Sequence, residues 1–176
     1  VQTRKLLFWA WGAVALLSGG CGYHLVGTSS YLPESLQTLH VRPFENRSNW
    51  AAIDQRVGEA LAEELVRRRR FELVEDEKAA DAILEGTISA VSIIPVSFDA
   101  DGRATEYQMT LSVAARLQDV TGDEPETLWE DQRFSRRTSY EVQDSAEDYF
   151  DRQIEAMEEL SREFSRGLIT AVLEGF

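Results

Sequence analysis

The sequence predicts an α+β fold: two amphipathic helices packed on one face of a mainly antiparallel sheet of four to five strands. The expected order is β-α-β-β-β-α, with room for one extra short strand. Three observations carry this. Residues 50–69 and 145–172 each repeat apolar side chains at steps of three and four, the helical period. Residues 106–117 alternate between apolar and polar except at Ala114, the strand period. Between residues 82–98 and that strand stands an Asp-Gly turn, which favours a hairpin because Asp and Gly tolerate positive φ. Two helices covering one side of such a sheet is the economical packing.

Taken in order, residues 39–44 (LHVRPF) form a strand whose pairing fades at Pro43, since proline has no ladder donor. Residues 45–49 (ENRSN) are turn chemistry and offer Ser48 or Asn49 as a helix N-cap. The next helix carries Trp50, Ile53, Val57, Leu61, Leu65 and Val66 on one stripe. Its C-terminal charges, Arg67–Arg70, suit the negative end of the helix dipole, a reading favoured over a phosphate clamp. Residues 71–74 allow a short strand. In residues 82–98, Leu84, Ile88, Ile94, Val96 and Phe98 share one parity, which predicts one shared face, and Pro95 requires an edge or a bulge.

The return strand sets Tyr107, Met109, Leu111, Val113, Ala115 and Leu117 against Glu106, Gln108, Thr110, Ser112 and Arg116. One face is buried and the other polar, as in an antiparallel sheet covered on one side. After a turn at 121–125 (TGDEP), residues 127–140 form a polar last strand. Ser145 with Asp148 resembles a capping box, and Tyr149, Ile154, Met157, Leu160, Phe164, Leu168 and Val172 form the last helical stripe.

The N-terminus has a different character. Arg4 and Lys5 precede a 12-residue apolar run at 6–17, then Ser18, Gly19, Gly20 and Cys21. A basic head, a short apolar run and a small-residue exit describe a secretory signal peptide. At about 1.5 Å per residue the run covers roughly 18 Å, short of a bilayer core of about 30 Å. The cysteine after the small residues is the mark of a lipoprotein signal, its thiol taking diacylglycerol and its freed amine a further acyl chain. Ser18 stands where a lipobox usually has leucine. Several acyl chains hold a protein stably where one does not. The expected organisation is a signal peptide at 1–20, lipidated Cys21 with a tether to residue 37, and a domain at 38–176. Gly22, rather than aspartate, comes after the cysteine and directs the expectation to the outer membrane.

Composition excludes some functions. A net charge of −13 is the wrong sign for nucleic-acid binding, and it leaves membrane attachment to the lipid anchor. The single cysteine sits at the anchor, and the two histidines, His24 and His40, precede the first helix. No metal, phosphate-loop or nucleophile-elbow motif occurs, so neither cofactor nor metal is expected, nor an enzyme. Glu59, Glu63, Glu64, Glu155, Glu158, Glu159 and Glu163 read as solvated helix faces. Arg133 and Arg137 share a side by parity, with Arg136 opposite, and the polar face of the return strand adds Arg116; the three would form a local positive patch if they meet on the uncovered sheet face. Ordinary pairing with acidic strand neighbours is the competing reading for them.

Residues 21–27 (CGYHLVG), the LP at 32–33, TLHVRPFENRS at 38–48 and ADAILEGTIS at 80–89 together resemble the LptE family. The resemblance implies a non-enzymatic outer-membrane lipoprotein. It would plug an LptD-type barrel, help that barrel assemble, and serve insertion of lipopolysaccharide into the outer leaflet. Lipopolysaccharide is then a candidate ligand, with Arg116, Arg133 and Arg137 as candidate phosphate contacts. The alternative is an outer-membrane lipoprotein that scaffolds or activates a cell-wall or transport machine.

Overall fold

In the computed structural model, residues 31–142 and 146–175 are described. The signal peptide, Cys21, His24, the tether up to residue 30 and the capping residue Ser145 lie outside them. The elements are β1 (Thr38–Val41), β2 (Glu45–Asn46), α1 (Ile53–Arg68), β3 (Glu72–Leu73), a 3-10 turn (Glu77–Ala79), β4 (Ala82–Phe98), β5 (Ala104–Asp119), β6 (Glu126–Glu141) and α2 (Ala146–Glu174). The α+β class and the two helices agree with the sequence reading. The sheet differs: it has six strands and is mixed. Its order is β3-β1-β4-β5-β6, with β2 also paired to β4.

The antiparallel part is the meander β4-β5-β6. The parallel part lies at the other side, where β1 pairs with both β3 and β4, and β2 pairs with β4. A parallel neighbour needs a crossover, and α1 supplies it between β1 and β3. Pro43 breaks the first strand into β1 and β2, which lie in succession along β4. These strands of two to four residues are too short to show a period, so their direction was not legible.

The core lies between the sheet and the helices. Met109, Leu111, Val113, Ala115 and Leu117 of β5 are all buried, as their alternation predicts. Leu160, Phe164 and Leu168 of α2 and Val57 and Leu61 of α1 close over them. Two stripe members fall outside: Val66 is 65% exposed and Ile154 51%.

β4 departs most from its predicted facing. Leu84 and Ile88 point into the core opposite Leu117 and Val113. The register then slips between Ile88 and Ala90, a β-bulge at Ser89. One extra residue inverts the side chains that follow it, up to the next slip after Pro95. Val91, opposite Leu111, is therefore buried and Ile94 exposed, while the exposed Val96 and Phe98 stand at two further slips, between Pro95 and Ser97 and between Ser97 and Phe98.

The turn before α1 also corrects the expected cap. Asn46 Oδ1 accepts from the Ser48 N–H at 2.9 Å, and its Nδ2 donates to the Trp50 carbonyl at 2.7 Å. This polar turn delays the helix to Ile53, and Ala52 enters it at φ 58° without a side-chain cap. Residues 31–37, read from composition as the end of a tether, pack onto the body. Leu32 and Leu36 are buried, and the Tyr31 N–H donates to the Leu173 carbonyl at 3.1 Å.

Candidate functional site

Among the described residues, charged side chains gather at the end of α1, on the uncovered sheet face, and along the groove between β6 and α2, where Glu106, Glu141, Arg152, Glu155, Glu159 and Arg162 occupy the end beside Thr138–Val142. At the end of α1, the run Arg67–Arg70 is architectural. Glu64 is buried and receives Arg67 and Arg68, the latter at 2.7 Å. This corrects the reading of Glu64 as solvated. Burial pushes its carboxyl pKa up, but hydrogen bonds from Arg68 and Arg67 outweigh that and hold it below the usual range. Arg68 also donates to Thr170 Oγ1 on α2 at 2.6 Å. Arg69 adopts the left-handed conformation that ends the helix, φ 53°, and its N–H bonds the Leu65 carbonyl. Arg70 donates to the carbonyls of Leu36 and Pro33, both at 2.8 Å, and covers the Phe71 ring.

On the uncovered sheet face, Arg116 lies beside Glu85 across the β4–β5 pair and bonds it. Arg42 bonds the same carboxylate and also Glu77. Burial raises the Glu85 pKa, and the hydrogen bonds from Arg116 and Arg42 overcome this and lower it. Arg116 is thus committed within the fold.

Arg137 stands opposite Thr110, six residues along β5 from Arg116. At about 3.4 Å per residue that is roughly 20 Å, beyond the reach of one phosphate. Arg133 is displaced further. From Asp131 to Phe134, three steps along β6 span the two steps of β5 from Ala115 to Val113. In this bulge Gln132 joins the pocket of Arg116 and Glu130 on the open face. Arg133 instead lines the groove between β6 and α2 with Arg136 and Arg166. Arg116 and Arg137 therefore stand too far apart for Arg116, Arg133 and Arg137 to grip one phosphate together.

Arg136 faces α2, as parity predicts. Its guanidinium lies 4.4 Å from the Phe134 ring centre. It also fills the space over Gly167, where an added Cβ would stand 2.6 Å from its Nε. The sequence reading missed this groove, because nothing in the chain marks which α2 residues will meet β6.

His40 is a structural histidine, its Nδ1 3.0 Å from the Val74 carbonyl oxygen. Asp81 accepts backbone N–H bonds from Thr38 and Gln37, both at 2.8 Å, and these lower its pKa. Among the described residues no group of three or more His, Cys, Asp and Glu is placed to hold a metal. Among them, too, no helix is long and apolar enough to cross a membrane.

Comparison with known proteins places this architecture. The sequence model of the family described as LptE, lipopolysaccharide-assembly, matches residues 36–172. A relative, the LPS-assembly lipoprotein LptE of Pectobacterium atrosepticum, is 31% identical over 107 residues, 60% of this chain and 53% of the relative. The match thus spans about half the length of that protein. Among solved structures, the hypothetical protein CT253 of Chlamydia trachomatis superposes with a TM-score of 0.56 at 11% identity, covering 80% of this chain and 97% of that one. This is a likeness of fold. The rare lipoprotein B of Shewanella oneidensis superposes at 0.49 with 15% identity, over 79% of this chain and 92% of that one.

Proposed function

The chain belongs to the LptE lipopolysaccharide-assembly family, and on that premise we propose that it is an outer-membrane lipoprotein that plugs an LptD-type barrel and helps it assemble. The family match over residues 36–172, nearly the whole described body, carries this reading. The physical character of the domain agrees with it. A barrel lumen is polar and wet, so its plug must be folded and water-compatible. This domain buries one sheet face beneath two helices and leaves the other face polar along most of its length. Its role is to bind and position, without catalysis.

Cys21 is the proposed attachment point, carrying the S-diacylglycerol and N-acyl chains. Cys21→Ser should move the protein from the membrane to the soluble fraction and remove the lipid mass from its N-terminal peptide; unchanged fractionation would overturn the anchor. Lipopolysaccharide contact, within this reading, falls to Arg116 and Arg137 as separate points on the open face, while Arg133 belongs to the groove beside α2. Charge reversal of Arg116 and Arg137 together should weaken lipopolysaccharide binding by the full-length protein severalfold; unchanged binding removes that part of the proposal.

The barrel partnership is tested by a mild-detergent pull-down of the tagged full-length protein from its native membranes, with mass spectrometry of the co-purified proteins. A stoichiometric outer-membrane barrel supports the plug. A cell-wall synthase or transporter in its place supports the scaffolding alternative.

A further inference from the structure

The groove between β6 and α2 changes character along its length. Beside Thr138–Val142 it is lined by Glu106, Glu141, Glu155 and Glu159, with Arg152 and Arg162 already in ion pairs. Beside Asp131–Arg136 it opens into a hollow of about 680 Å³ lined by Arg133, Arg136, Arg166, Gly167 and Thr170, with Asp131 and Glu163 as its acids. That volume is of ligand size. On α2, Glu163, Arg166, Gly167 and Thr170 stand at i, i+3, i+4 and i+7, one face of the helix turned to β6.

Arg136 is held in place there. Its guanidinium lies 4.4 Å from the Phe134 ring centre and donates from Nη1 to the Ser135 carbonyl at 2.9 Å. A Cβ at Gly167 would stand 2.6 Å from its Nε and Nη2. Glycine inside a helix is less stable than alanine, and here its bare backbone is what lets the guanidinium lie against α2. Thr170 adds a hydroxyl. Its Oγ1 accepts from Arg68 Nη2 at 2.6 Å, which leaves the O–H proton to donate.

These arginines lack the partners that others have. Nine other arginines of the described residues form ion pairs with carboxylates, whereas Arg133, Arg136 and Arg166 form none there, although the chain carries a net −13. Asp131 Oδ1 is engaged by the Arg133 backbone N–H at 2.7 Å. Arg166 also borders a smaller notch with Glu63, Glu64, Arg67 and Arg162, where Glu64 is taken by Arg67 and Arg68, and Arg162 by Glu159. Three guanidinium groups and one hydroxyl, from two elements, thus face an opening that holds two carboxylates. Donors converging from both walls suit an anion with several acceptor oxygens. A phosphate ester has three and carries close to two negative charges at neutral pH, and guanidinium forks match its geometry. A lone carboxylate has two oxygens and a single charge, and would leave one wall unmet.

We infer that the hollow at Arg133, Arg136, Arg166 and Thr170 is a binding site for a phosphate monoester, either a soluble one or the headgroup of a lipid. Arg136 is the fixed contact; Arg166 and the Thr170 hydroxyl close from α2, and Arg133 from β6. The site lies on the helix side of the sheet, apart from the open-face points of the proposed function, so it stands without them.

The test titrates the full-length protein in detergent micelles with glycerol 3-phosphate and, separately, with lysophosphatidic acid, which carries the same ester on an acyl chain. Heteronuclear NMR follows the Arg136 Nε–H and the Gly167 and Thr170 amides. Both probes should shift these signals saturably, and glycerol should not. Arg166→Gln should weaken binding about tenfold. Gly167→Ala, which displaces the Arg136 guanidinium, should weaken it severalfold. The rest of the amide spectrum should stay as in the parent for each variant. Arg47→Gln, an equal loss of charge elsewhere, should leave the affinity unchanged. Equal affinity for both probes identifies a soluble ester as the ligand. Tighter binding of lysophosphatidic acid, reversed by excess glycerol 3-phosphate, identifies a headgroup. No saturable shift with either probe, shifts centred on Arg116 or Arg137 instead, or full affinity in Arg166→Gln would each overturn the inference.

Discussion

Arg67, Arg68 and Arg70 at the end of α1 and Arg133, Arg137 and Arg166 beside β6 carry the same chemistry in opposite circumstances. The first group lies within reach of Glu64 at helical spacing and of the carbonyls of Pro33 and Leu36. It ties α1 to α2 and fastens residues 31–37 to the body. The second group borders β6, Arg166 from α2, and among the described residues its guanidinium groups form no ion pair. What separates them is the neighbour each backbone supplies. A helix brings i−3 and i−4 carboxylates alongside, whereas a bulged edge strand turns consecutive side chains to different sides. The difference teaches that a run of arginines is structural where the fold supplies its anions and available for a partner where it does not.

The largest expected effect probes β6 itself. The Val142 N–H bonds the Thr105 carbonyl at 3.0 Å, and antiparallel alternation then turns the Thr138 backbone groups toward β5 and those of Ser139 outward. Thr138→Pro should cost roughly 2 kcal/mol, because it removes a ladder bond to β5, while Ser139→Pro one residue away should cost less than about 0.5 kcal/mol. Equal losses in urea unfolding would show that the assignment of inward and outward groups is wrong. Next come the structural arginines. Glu64→Gln, which leaves Arg67 and Arg68 without their carboxylate, and Arg70→Ala, which leaves two carbonyls bare, should each cost about 1–2 kcal/mol. Arg70→Ala should also speed hydrogen exchange in residues 31–37.

Acid sharpens the same contrast. The folded state holds the carboxyls of Glu64, Glu85 and Asp81 below their ordinary pKa. Their contribution is full above the unfolded carboxylate range and is lost as pH falls through the lowered folded values. Stability should therefore decline below about pH 4.5, and Glu64→Gln should flatten part of that decline. The smallest effect is expected from Arg133→Ala, Arg137→Ala and Arg166→Ala, each within about 0.5 kcal/mol of the parent in thermal melts. A loss comparable to that of Arg70→Ala would move them into the structural group.

Much of this was legible in the sequence. The alternation of β5 fixed its buried face residue by residue, and the stripes of both helices located the core from Val57 to Phe164. What stayed hidden turns on single residues of backbone. Ser89 carries no mark of a bulge, yet it turns Val91 inward and Ile94 to the solvent side. The extra β6 residue between Asp131 and Phe134 likewise carries no mark in the sequence. The parallel pairing of β1, β2 and β3 was hidden because strands of two to four residues have no period to read. Glu64 gave no sign of burial, since it depends on where α2 crosses α1.

The role proposed for this protein, serving a barrel that places lipopolysaccharide in the outer leaflet, has a direct test. The most direct measurement is surface-exposed lipopolysaccharide on intact cells of its native host during depletion of the protein, against total cellular lipopolysaccharide. The surface fraction should fall while the total persists, and the full-length protein should restore it. An unchanged surface fraction after depletion would contradict the claim.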